Sequence, residues 1–154
     1  KGKKVEIRSP EATRPWQHVL EPLSGYLDLG ANLYENDALN GQAFNFGPRA
    51  EQNHTVKQLL EDLSKYWHFK DIDDAFTITD NIPFHEAGLL KLNCDKALFY
   101  LKWQANLDYK DTIRYTSEWY YDFYKKENSI YNKTINQIEE YERKAKHKSL
   151  KWSE

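Results

Sequence analysis

The sequence predicts an α/β fold in a single domain, with a small mixed sheet and several helices. Two segments alternate apolar and polar residues as strands do, at residues 5–8 and 75–79. Apolar residues recur at helical spacing in four longer stretches, about 19–35, 56–67, 108–126 and 134–144. The length of 154 residues is that of one domain. Strands interleaved with helices favour the α/β class over an all-helical bundle.

Composition narrows the function classes. Hydrophobic residues make up 40% and charged residues 30%, as in globular proteins with a polar surface. A net charge of -2 lacks the basic footprint of nucleic-acid binding. No apolar run approaches 18 residues and no signal-like segment is present, so we expect no membrane partner and a cytoplasmic location. The single cysteine, Cys94, fits a reducing compartment, and the five histidines lack metal-ligand spacing, so no metal is expected.

The first half of the chain predicts strand, corner, helix and strand in turn. A strand over residues 2–8 is ended by Ser9-Pro10, and a helix runs from about Val19 to Glu35. Its buried face is expected to carry Leu20, Leu23, Leu27 and Gly30. Residues 42–48 then read as a short strand closed by Gly-Pro, with Phe44 and Phe46 on one side.

The second half predicts further alternation of strands and helices. Thr55 is a plausible cap for the helix 56–67, and Asn93 for a short helix, 94–100. An apolar strand is expected at 89–92. The long helix after residue 107 carries a row of aromatic residues, for which core packing is favoured over a platform for sugars or bases. The basic residues 146–154 predict a solvated tail.

The segment from Arg14 to Leu23 is the strongest candidate for a functional site. Arg14 offers a planar fork of donors suited to a diphosphate, Trp16 a flat ring, and His18 a group that donates or accepts near neutral pH. The segment joins a strand end to a helix start, where α/β proteins commonly place ligand contacts. The alternative is a purely structural corner, with Trp16 in the core and Arg14 a surface charge.

Two further positions display polar groups. Asn45 stands at the end of the predicted strand 42–48, where its amide could reach a ligand, although an Asn before Gly-Pro also forms turns. His85 and Glu86 precede an apolar strand, and such a pair can hold hydroxyl groups or a ribose. The alternative is a surface pair at a loop tip.

Catalytic motifs are missing from the sequence. It has no glycine-rich nucleotide loop, no GxSxG and no HExxH. Tyr66 with Lys70, and Tyr121 with Lys125, have YxxxK spacing, but both lie in helices that packing explains. We therefore assign no catalytic residue, and the chain looks able to bind but poorly equipped to react.

Several segments together resemble a known family. They are ATRPWQHVLEPLSGYL at 12–27, AFNFGP at 43–48, HEAGLLKLNCDKA at 85–97, the LxW of 101–103, and TINQIEEY at 134–141. In this order they resemble the carboxyl-terminal part of the CDP-glucose 4,6-dehydratases, which belong to the extended short-chain dehydrogenase/reductases. The resemblance covers nearly the whole chain, and the RPWQHVLEPL run is its most specific part.

The resemblance implies a lyase that depends on NAD and makes CDP-4-keto-6-deoxyglucose for deoxysugar and O-antigen biosynthesis. In that family NAD oxidises the sugar at C4, water leaves across C5 and C6, and the hydride returns to C6. Residues 1–145 would form the nucleotide-sugar-binding carboxyl-terminal domain, and 146–154 its basic polar tail. NAD and the catalytic groups would belong to an amino-terminal Rossmann domain preceding Lys1, so this piece alone would be inactive. A chain without Met that opens on Lys1 agrees with that expectation.

The same resemblance assigns substrate contacts. Arg14 corresponds to a diphosphate clamp and Asn45 to a contact with the nucleotide end, and the full substrate-binding set is Arg14, Gln17, His18, Asn45, His85 and Glu86. Asn93 stands where the family usually has Asp, and Gly88 replaces a larger polar residue. Expected partners are CDP-glucose, the Rossmann domain and, for the complete protein, further copies of itself. The alternatives are a free-standing carbohydrate or protein interaction module, or another nucleotide-sugar epimerase or dehydratase of the superfamily.

Overall fold

Two small sheets hold the strands of the fold. The computed structural model describes residues 4–69, 71–79, 87–125 and 130–154. Strand β1 (Val5–Ile7) pairs in parallel with β4 (Phe76–Ile78), and β2 (Thr13–Arg14) pairs antiparallel with β3 (His54–Thr55). The α/β class is confirmed, and both parallel and antiparallel pairs occur. Over the described residues they form two separate pairs instead of one sheet.

The described residues also form five α-helices. They are α1 (Leu20–Glu35), α2 (Val56–Lys65), α3 (Asp95–Leu101), α4 (Tyr109–Lys125) and α5 (Ile130–His147). The predicted cap of α2 is confirmed, because Thr55 Oγ1 accepts from the amide of Gln58 at 3.1 Å and Gln58 Oε1 accepts from the amide of Thr55 at 3.0 Å. This reciprocal pair satisfies two amides that a helix start otherwise leaves unbonded.

Among the described residues the core consists of two clusters, both in contact with Trp152. The larger contains Leu39, Phe46, Ala97, Leu101, Trp103 and Ala105, and the smaller Leu107, Tyr115 and Tyr141. The rings of Phe46 and Trp103 meet edge to face with centroids 5.0 Å apart. The segment 103–107, between α3 and α4, therefore runs through the centre of the molecule.

Helices α4 and α5 pack on each other through charged and polar side chains. Arg114 lies 2.6 Å from Glu140, and Lys144 lies 2.7 Å from Asp111. Toward the other end, Lys133 lies 2.8 Å from Glu118. These pairs are only partly exposed, so each is screened less than a surface pair. They fix the register of the hairpin that forms one wall of the candidate site.

The buried face of α1 differs from the prediction. Leu23 is 45% exposed and Leu27 is 77% exposed, whereas Glu21, Ser24 and Gly25 are buried. The helix is thus rotated so that a polar stripe faces the core. Two contacts explain this orientation. The carboxylate of Glu21 accepts hydrogen bonds from buried backbone amides distant in sequence, and a glycine at position 25 leaves room for the ring of Phe46.

Two predicted strands are wrong. Residues 42–48 form no strand, although Phe46 is buried and Phe44 packs against the same core cluster. At residues 89–92 only one bridge occurs, from Leu89 to Thr13. In residues 42–48 the alternation reflects packing of Phe44 and Phe46 on the core and not a paired backbone. At 89–92 the apolar run is not buried as expected, since Leu89 is 61% and Leu90 is 48% exposed.

The carboxyl-terminal segment is more ordered than a solvated tail. Helix α5 continues to His147, beyond the predicted end at 144, and a 3-10 turn follows at Lys151–Ser153. Leu150 is only 7% exposed. Trp152 stacks on Tyr141 with ring centroids 5.5 Å apart and donates its indole N–H to the carbonyl of Gln104 at 3.2 Å. Leu150 and Trp152 thus pack this segment against the protein, although most of its residues are basic or polar.

The aromatic row of α4 divides along the helix. Ile113 and Tyr115, near its start, are buried, as the packing interpretation expects. Near its end Tyr120 is 47% exposed and Phe123 is 50% exposed. The rings there stack on each other, Trp119 on Phe123 with centroids 5.3 Å apart. This end of α4 borders the candidate site.

Candidate functional site

The corner at residues 14–18 joins β2 to α1 and is held by its own backbone. The amide of Trp16 donates to the carbonyl of Arg14 at 2.9 Å, which turns the chain sharply. The indole of Trp16 donates to the carbonyl of His54 at 2.9 Å, so this ring ties the corner to β3. Trp16 is half-buried, as expected of a packing residue.

Arg14 connects the corner to the segment that follows residue 86. Its Nη1 donates to the carbonyl of Thr13 at 2.8 Å and to the carbonyl of Ala87 at 3.0 Å. Arg14 is half-buried, and its guanidinium thus has a positioning role in the protein itself. His85 and Glu86, predicted to join it at the site, lie outside the described residues.

Gln17 and His18 line a cavity of about 360 Å³ between the start of α1 and the hairpin of α4 and α5. The amide nitrogen of Gln17 donates to the carbonyl of Phe46 at 3.0 Å. Its Oε1 is buried and has no hydrogen-bond partner among the described residues. The other walls are Val19, Leu20, Thr116, Trp119, Tyr120, Thr134, Gln137 and Ile138. The cavity is largely apolar with a few polar groups, as small-molecule sites are.

His18 is held as a neutral ring. Burial lowers the pKa of His18 to about 4, because the cation would lose its hydration. The ring packs edge-on against Tyr115 with centroids 5.4 Å apart. Nδ1 lies 3.4 Å from the amide of Leu20 and accepts from it, which leaves the ring proton on Nε2. At neutral pH His18 can therefore donate one hydrogen bond without carrying charge.

Asn45 is exposed and lies on a different part of the surface. Its Nδ2 donates to the carbonyl of Asn93 at 3.2 Å, which connects segment 43–48 to the start of α3. A second cavity, of about 570 Å³, lies beside it, between residues 47–51 and 91–95. Lys91 crosses one side and donates to the carbonyl of Ala50 at 3.1 Å.

The predicted substrate-binding set is thus divided in the structure. Gln17 and His18 share the first cavity, and neither Arg14 nor Asn45 lines it. Gln17 nevertheless connects the corner to the segment of Asn45 through the carbonyl of Phe46. The corner is a compact unit with two sides, one toward residue 87 and one toward α4 and α5.

Glu21 is the buried residue whose role the sequence analysis missed. It is only 1% exposed, and its Oε1 accepts the amide of Leu107 at 2.6 Å while Oε2 accepts the amide of Asn106 at 3.0 Å. Its backbone amide donates to the carbonyl of His18 at 3.0 Å, so the carboxylate anchors the corner to the core. Burial raises the pKa of Glu21, and the hydrogen bonds from Leu107 and Asn106 oppose that rise. The sequence signal for this buried role was an acidic residue within the otherwise apolar run VLEPL at 19–23.

The other side chains considered for metal binding or catalysis lie in surroundings that indicate structural roles. Over the residues that the structure describes, no three His, Cys, Asp or Glu side chains come together as a metal site. Burial raises the pKa of the Cys94 thiol, which disfavours the thiolate. Tyr121 packs edge-on against Trp67 with centroids 5.9 Å apart, and Lys70 of the other YxxxK pair lies outside the described residues. In the described part of the chain, no helix has the length and apolar character to cross a bilayer.

Comparisons with known proteins confirm the resemblance found in the sequence. The chain is 40% identical over 121 residues to the CDP-glucose 4,6-dehydratase of Salmonella typhimurium, a match that covers 77% of this chain and 32% of that enzyme. It is 31% identical over 87 residues to the dTDP-glucose 4,6-dehydratase of Haemophilus influenzae, covering 52% of this chain and 25% of that enzyme. The matches therefore span about a third or less of each relative's length. No protein-family model matches the chain.

Proposed function

We propose that this chain is the carboxyl-terminal, nucleotide-sugar-binding part of a 4,6-dehydratase that acts on CDP-glucose. The observation that carries the proposal is the 40% identity over 121 residues to the Salmonella typhimurium enzyme. The weaker similarity to a dTDP-glucose 4,6-dehydratase supports the broader class of nucleotide-sugar dehydratases. The product would be CDP-4-keto-6-deoxyglucose, a precursor for deoxysugars of the O-antigen.

The corner supplies groups suited to such a ligand. Arg14 would bind the diphosphate, since a guanidinium fork matches phosphate oxygens, and its Nη1 donates to the carbonyls of Thr13 and Ala87. Asn45 would contact the nucleotide end from the neighbouring surface. Gln17 and His18 complete the proposed set on the other side of the corner.

NAD would be held by a Rossmann domain outside this chain, as the similarity to the 4,6-dehydratases implies. The sequence of this chain contains no glycine-rich dinucleotide loop. When bound there it would supply the hydride chemistry. The role proposed for this chain is to bind and orient the nucleotide sugar, and the complete protein is proposed to self-associate.

The decisive experiment is a calorimetric titration of CDP-glucose into the chain and into its Arg14→Lys and Arg14→Ala variants. Loss of charge-assisted hydrogen bonds should weaken binding by about 1.5–3 kcal/mol in Arg14→Ala. Arg14→Lys should recover only part of that loss, because an ammonium cannot bind in bidentate fashion. Arg8→Ala is the matched control, since Arg8 is exposed just after β1 and removes the same charge.

Two results would overturn the proposal. One is equal loss of affinity in Arg14→Ala and Arg8→Ala, which would reduce the effect to general charge. The other is failure of both this chain and a version extended by its Rossmann domain to bind CDP-glucose. Binding by the extended version alone would place completion of the site in the Rossmann domain.

A second candidate function rests on the exposed end of α4. Tyr120, Phe123 and Tyr124 are each 43–50% exposed. Tyr120 stacks on Tyr124, and Phe123 stacks on Trp119, as on surfaces that bind carbohydrates or proteins. A free-standing interaction module would bind oligosaccharides or a protein through these rings without any nucleotide. Loss of such binding in Phe123→Ala, with no affinity for CDP-glucose, would favour this candidate.

A further inference from the structure

The turn at residues 39–42 exposes a reactive pair of residues outside the candidate site. Gln42 donates its backbone amide to the carbonyl of Leu39 at 3.1 Å. Asn40 has φ −62° and ψ 134°, and Gly41 has φ +72°. These angles are those of a type II β-turn, whose third position favours glycine because φ is positive there. Asn40 and Gly41 therefore occupy the two central positions, and both are exposed.

The backbone amide of Gly41 is open to solvent base. It has no hydrogen-bond acceptor among the residues that the structure describes, because the bond of a type II turn uses the next amide along the chain. Glycine has no side chain to shield its nitrogen, and a Cβ at this position would meet no atom within 4 Å. Hydroxide can therefore reach this N–H and remove its proton.

The side-chain amide of Asn40 is not held by other groups, unlike those of asparagines nearby. The Nδ2 of Asn32 donates to the carbonyl one turn earlier in α1 at 2.8 Å, and the Oδ1 of Asn36 accepts the amide two residues later at 3.1 Å. The Nδ2 of Asn45 donates to the carbonyl of Asn93 at 3.2 Å. In the described part of the chain no such bond restrains the Asn40 side chain. Of these asparagines, Asn40 alone precedes a glycine.

We propose that Asn40 is a site of spontaneous deamidation, which proceeds through the backbone nitrogen of Gly41. The deprotonated nitrogen attacks Cγ of Asn40 and closes a five-membered succinimide ring. The bond from Cγ to Nδ2 breaks, and the side-chain nitrogen leaves as ammonia. Solvent water is the co-reactant of the overall conversion, and no group is oxidised or reduced.

Water then reopens the ring in two ways. Addition at Cγ breaks the bond from Cγ to the Gly41 nitrogen and leaves aspartate at position 40. Addition at the main-chain carbonyl carbon breaks the other ring bond to that nitrogen and leaves isoaspartate, whose main chain runs through Cβ and Cγ. Both products add a negative charge, and isoaspartate also lengthens the main chain by an atom.

The longer main chain of isoaspartate disturbs a turn that is fixed at both ends. Leu39, at its first position, is 4% exposed and belongs to the larger core cluster. Gln42, at its last position, accepts from Lys96 Nζ of α3 at 2.8 Å through its Oε1. An added backbone atom between them must shift one of these contacts. Isoaspartate at position 40 therefore lowers stability, whereas aspartate, with a normal main chain, leaves the turn intact.

Mass spectrometry of the ageing chain tests the proposal. The purified chain of 154 residues is incubated in mildly alkaline H₂¹⁸O and then digested in ordinary water at acidic pH. We expect Asn40 to be replaced over time by aspartate and isoaspartate that carry one ¹⁸O, at a rate that rises with hydroxide concentration. Asn32, Asn36 and Asn45 serve as internal controls and should keep their amides.

Two variants separate ring closure from its effect on the fold. Asn40→Gln keeps an exposed amide but would have to close a six-membered ring, so the rate should fall by about tenfold or more. Asn40→Asp carries the new charge on a normal main chain. The isoaspartate form, separated by chromatography from aged protein, should unfold at a lower temperature than Asn40→Asp.

Four results would overturn the proposal. An amide retained at Asn40 throughout the incubation would show that the turn prevents ring closure. Loss at Asn36 or Asn45 at the same rate would reduce the effect to general hydrolysis of asparagine, and an unchanged rate in Asn40→Gln would exclude the succinimide. Equal unfolding temperatures for the isoaspartate form and Asn40→Asp would show that the turn does not restrain the core. None of these results depends on whether the chain binds CDP-glucose.

Discussion

The hydroxyl of Tyr141 lies 3.2 Å from Glu21 Oε2, which brings together residues 120 positions apart. The same hydroxyl lies 3.0 Å from Ser24 Oγ, and the indole of Trp103 donates to that serine at 3.1 Å. Lys148 donates to the carbonyl of Asn106, and the backbone amide of Asn106 donates to Glu21 Oε2. One buried network of polar groups thus joins α1, the central segment 103–107 and α5.

Glu21→Gln should destabilise the protein by about 1–3 kcal/mol, because an amide would place N–H donors against the amides of Asn106 and Leu107. Urea denaturation gives the free energy of unfolding. Glu35→Gln, at the exposed end of the same helix, is the control and should change that free energy by less than about 0.5 kcal/mol. Equal effects in the two variants would show that the buried carboxylate is dispensable.

The network was not predictable from periodicity. A hydrophobic stripe on α1 predicts the leucines as its buried face, but a satisfied carboxylate and a glycine determine the face instead. The hydrogen bonds that stabilise this orientation of α1 come from the amides of Asn106 and Leu107, 85 and 86 positions from Glu21. No local sequence pattern indicates them. Elements with local signals, such as the capped helix α2, were predicted to within a few residues.

His18 should make stability depend on pH. Its pKa is about 4 in the folded protein and near 6.5 when unfolded, so the unfolded chain binds more protons in between. The contribution of His18 is therefore fully present above pH 6.5 and is lost as pH falls toward 4. The slope of unfolding free energy should reach about 1.4 kcal/mol per pH unit at most.

The measurement compares urea denaturation of the wild type and His18→Phe from pH 4 to pH 7. Glu21 acts in the opposite sense, because its raised pKa removes stability as pH rises. It is present in both proteins, so the difference between their slopes isolates His18. Parallel pH profiles for the two would contradict a buried neutral ring.

Two glycines of α1 should respond oppositely to alanine. A Cβ at Gly25 would lie 2.3 Å from Cδ1 of Phe46, a core ring, so Gly25→Ala should destabilise by about 1–3 kcal/mol. A Cβ at Gly30 meets no atom within 4 Å, and Gly30→Ala should stabilise by about 0.4–1 kcal/mol through helix propensity. Thermal denaturation of both variants checks this, and the same sign of change in both would contradict the observed packing.

Trp152→Ala should destabilise the protein by about 1–3 kcal/mol, since it removes a ring stacked on Tyr141 and leaves the carbonyl of Gln104 without its donor. Lys151→Ala, on the exposed neighbour, is the control. Chemical denaturation distinguishes the two. A neutral Trp152→Ala would support the solvated tail that the lysine-rich composition predicts. That prediction differs from the structure because two apolar residues, Leu150 and Trp152, pack on the protein among four charged neighbours.

The candidate site was predictable in part for a similar reason. Arg14, Gln17 and His18 stand in one short segment, so the sequence brings them together without any long-range contact. In the structure Gln17 and His18 face α4 and α5, and Arg14 does not. This separation depends on how the two helices pack, which the sequence does not reveal. Asn45 was assigned to a strand end, and without that strand it lies exposed beside α3.

The Glu21 network also constrains the order of folding. Its bonds close loops of 85, 86 and 120 residues, and the entropy of closing such loops opposes them until the intervening segments are compact. The ion pairs between α4 and α5 join residues only 15 to 33 positions apart, so we expect this helix pair to form earlier. Loss of the polar network in Glu21→Gln should then mainly accelerate unfolding and leave the rate of folding nearly unchanged, which stopped-flow kinetics in urea would measure. The buried carboxylate would thus set how long the folded structure persists, and other contacts how fast it forms.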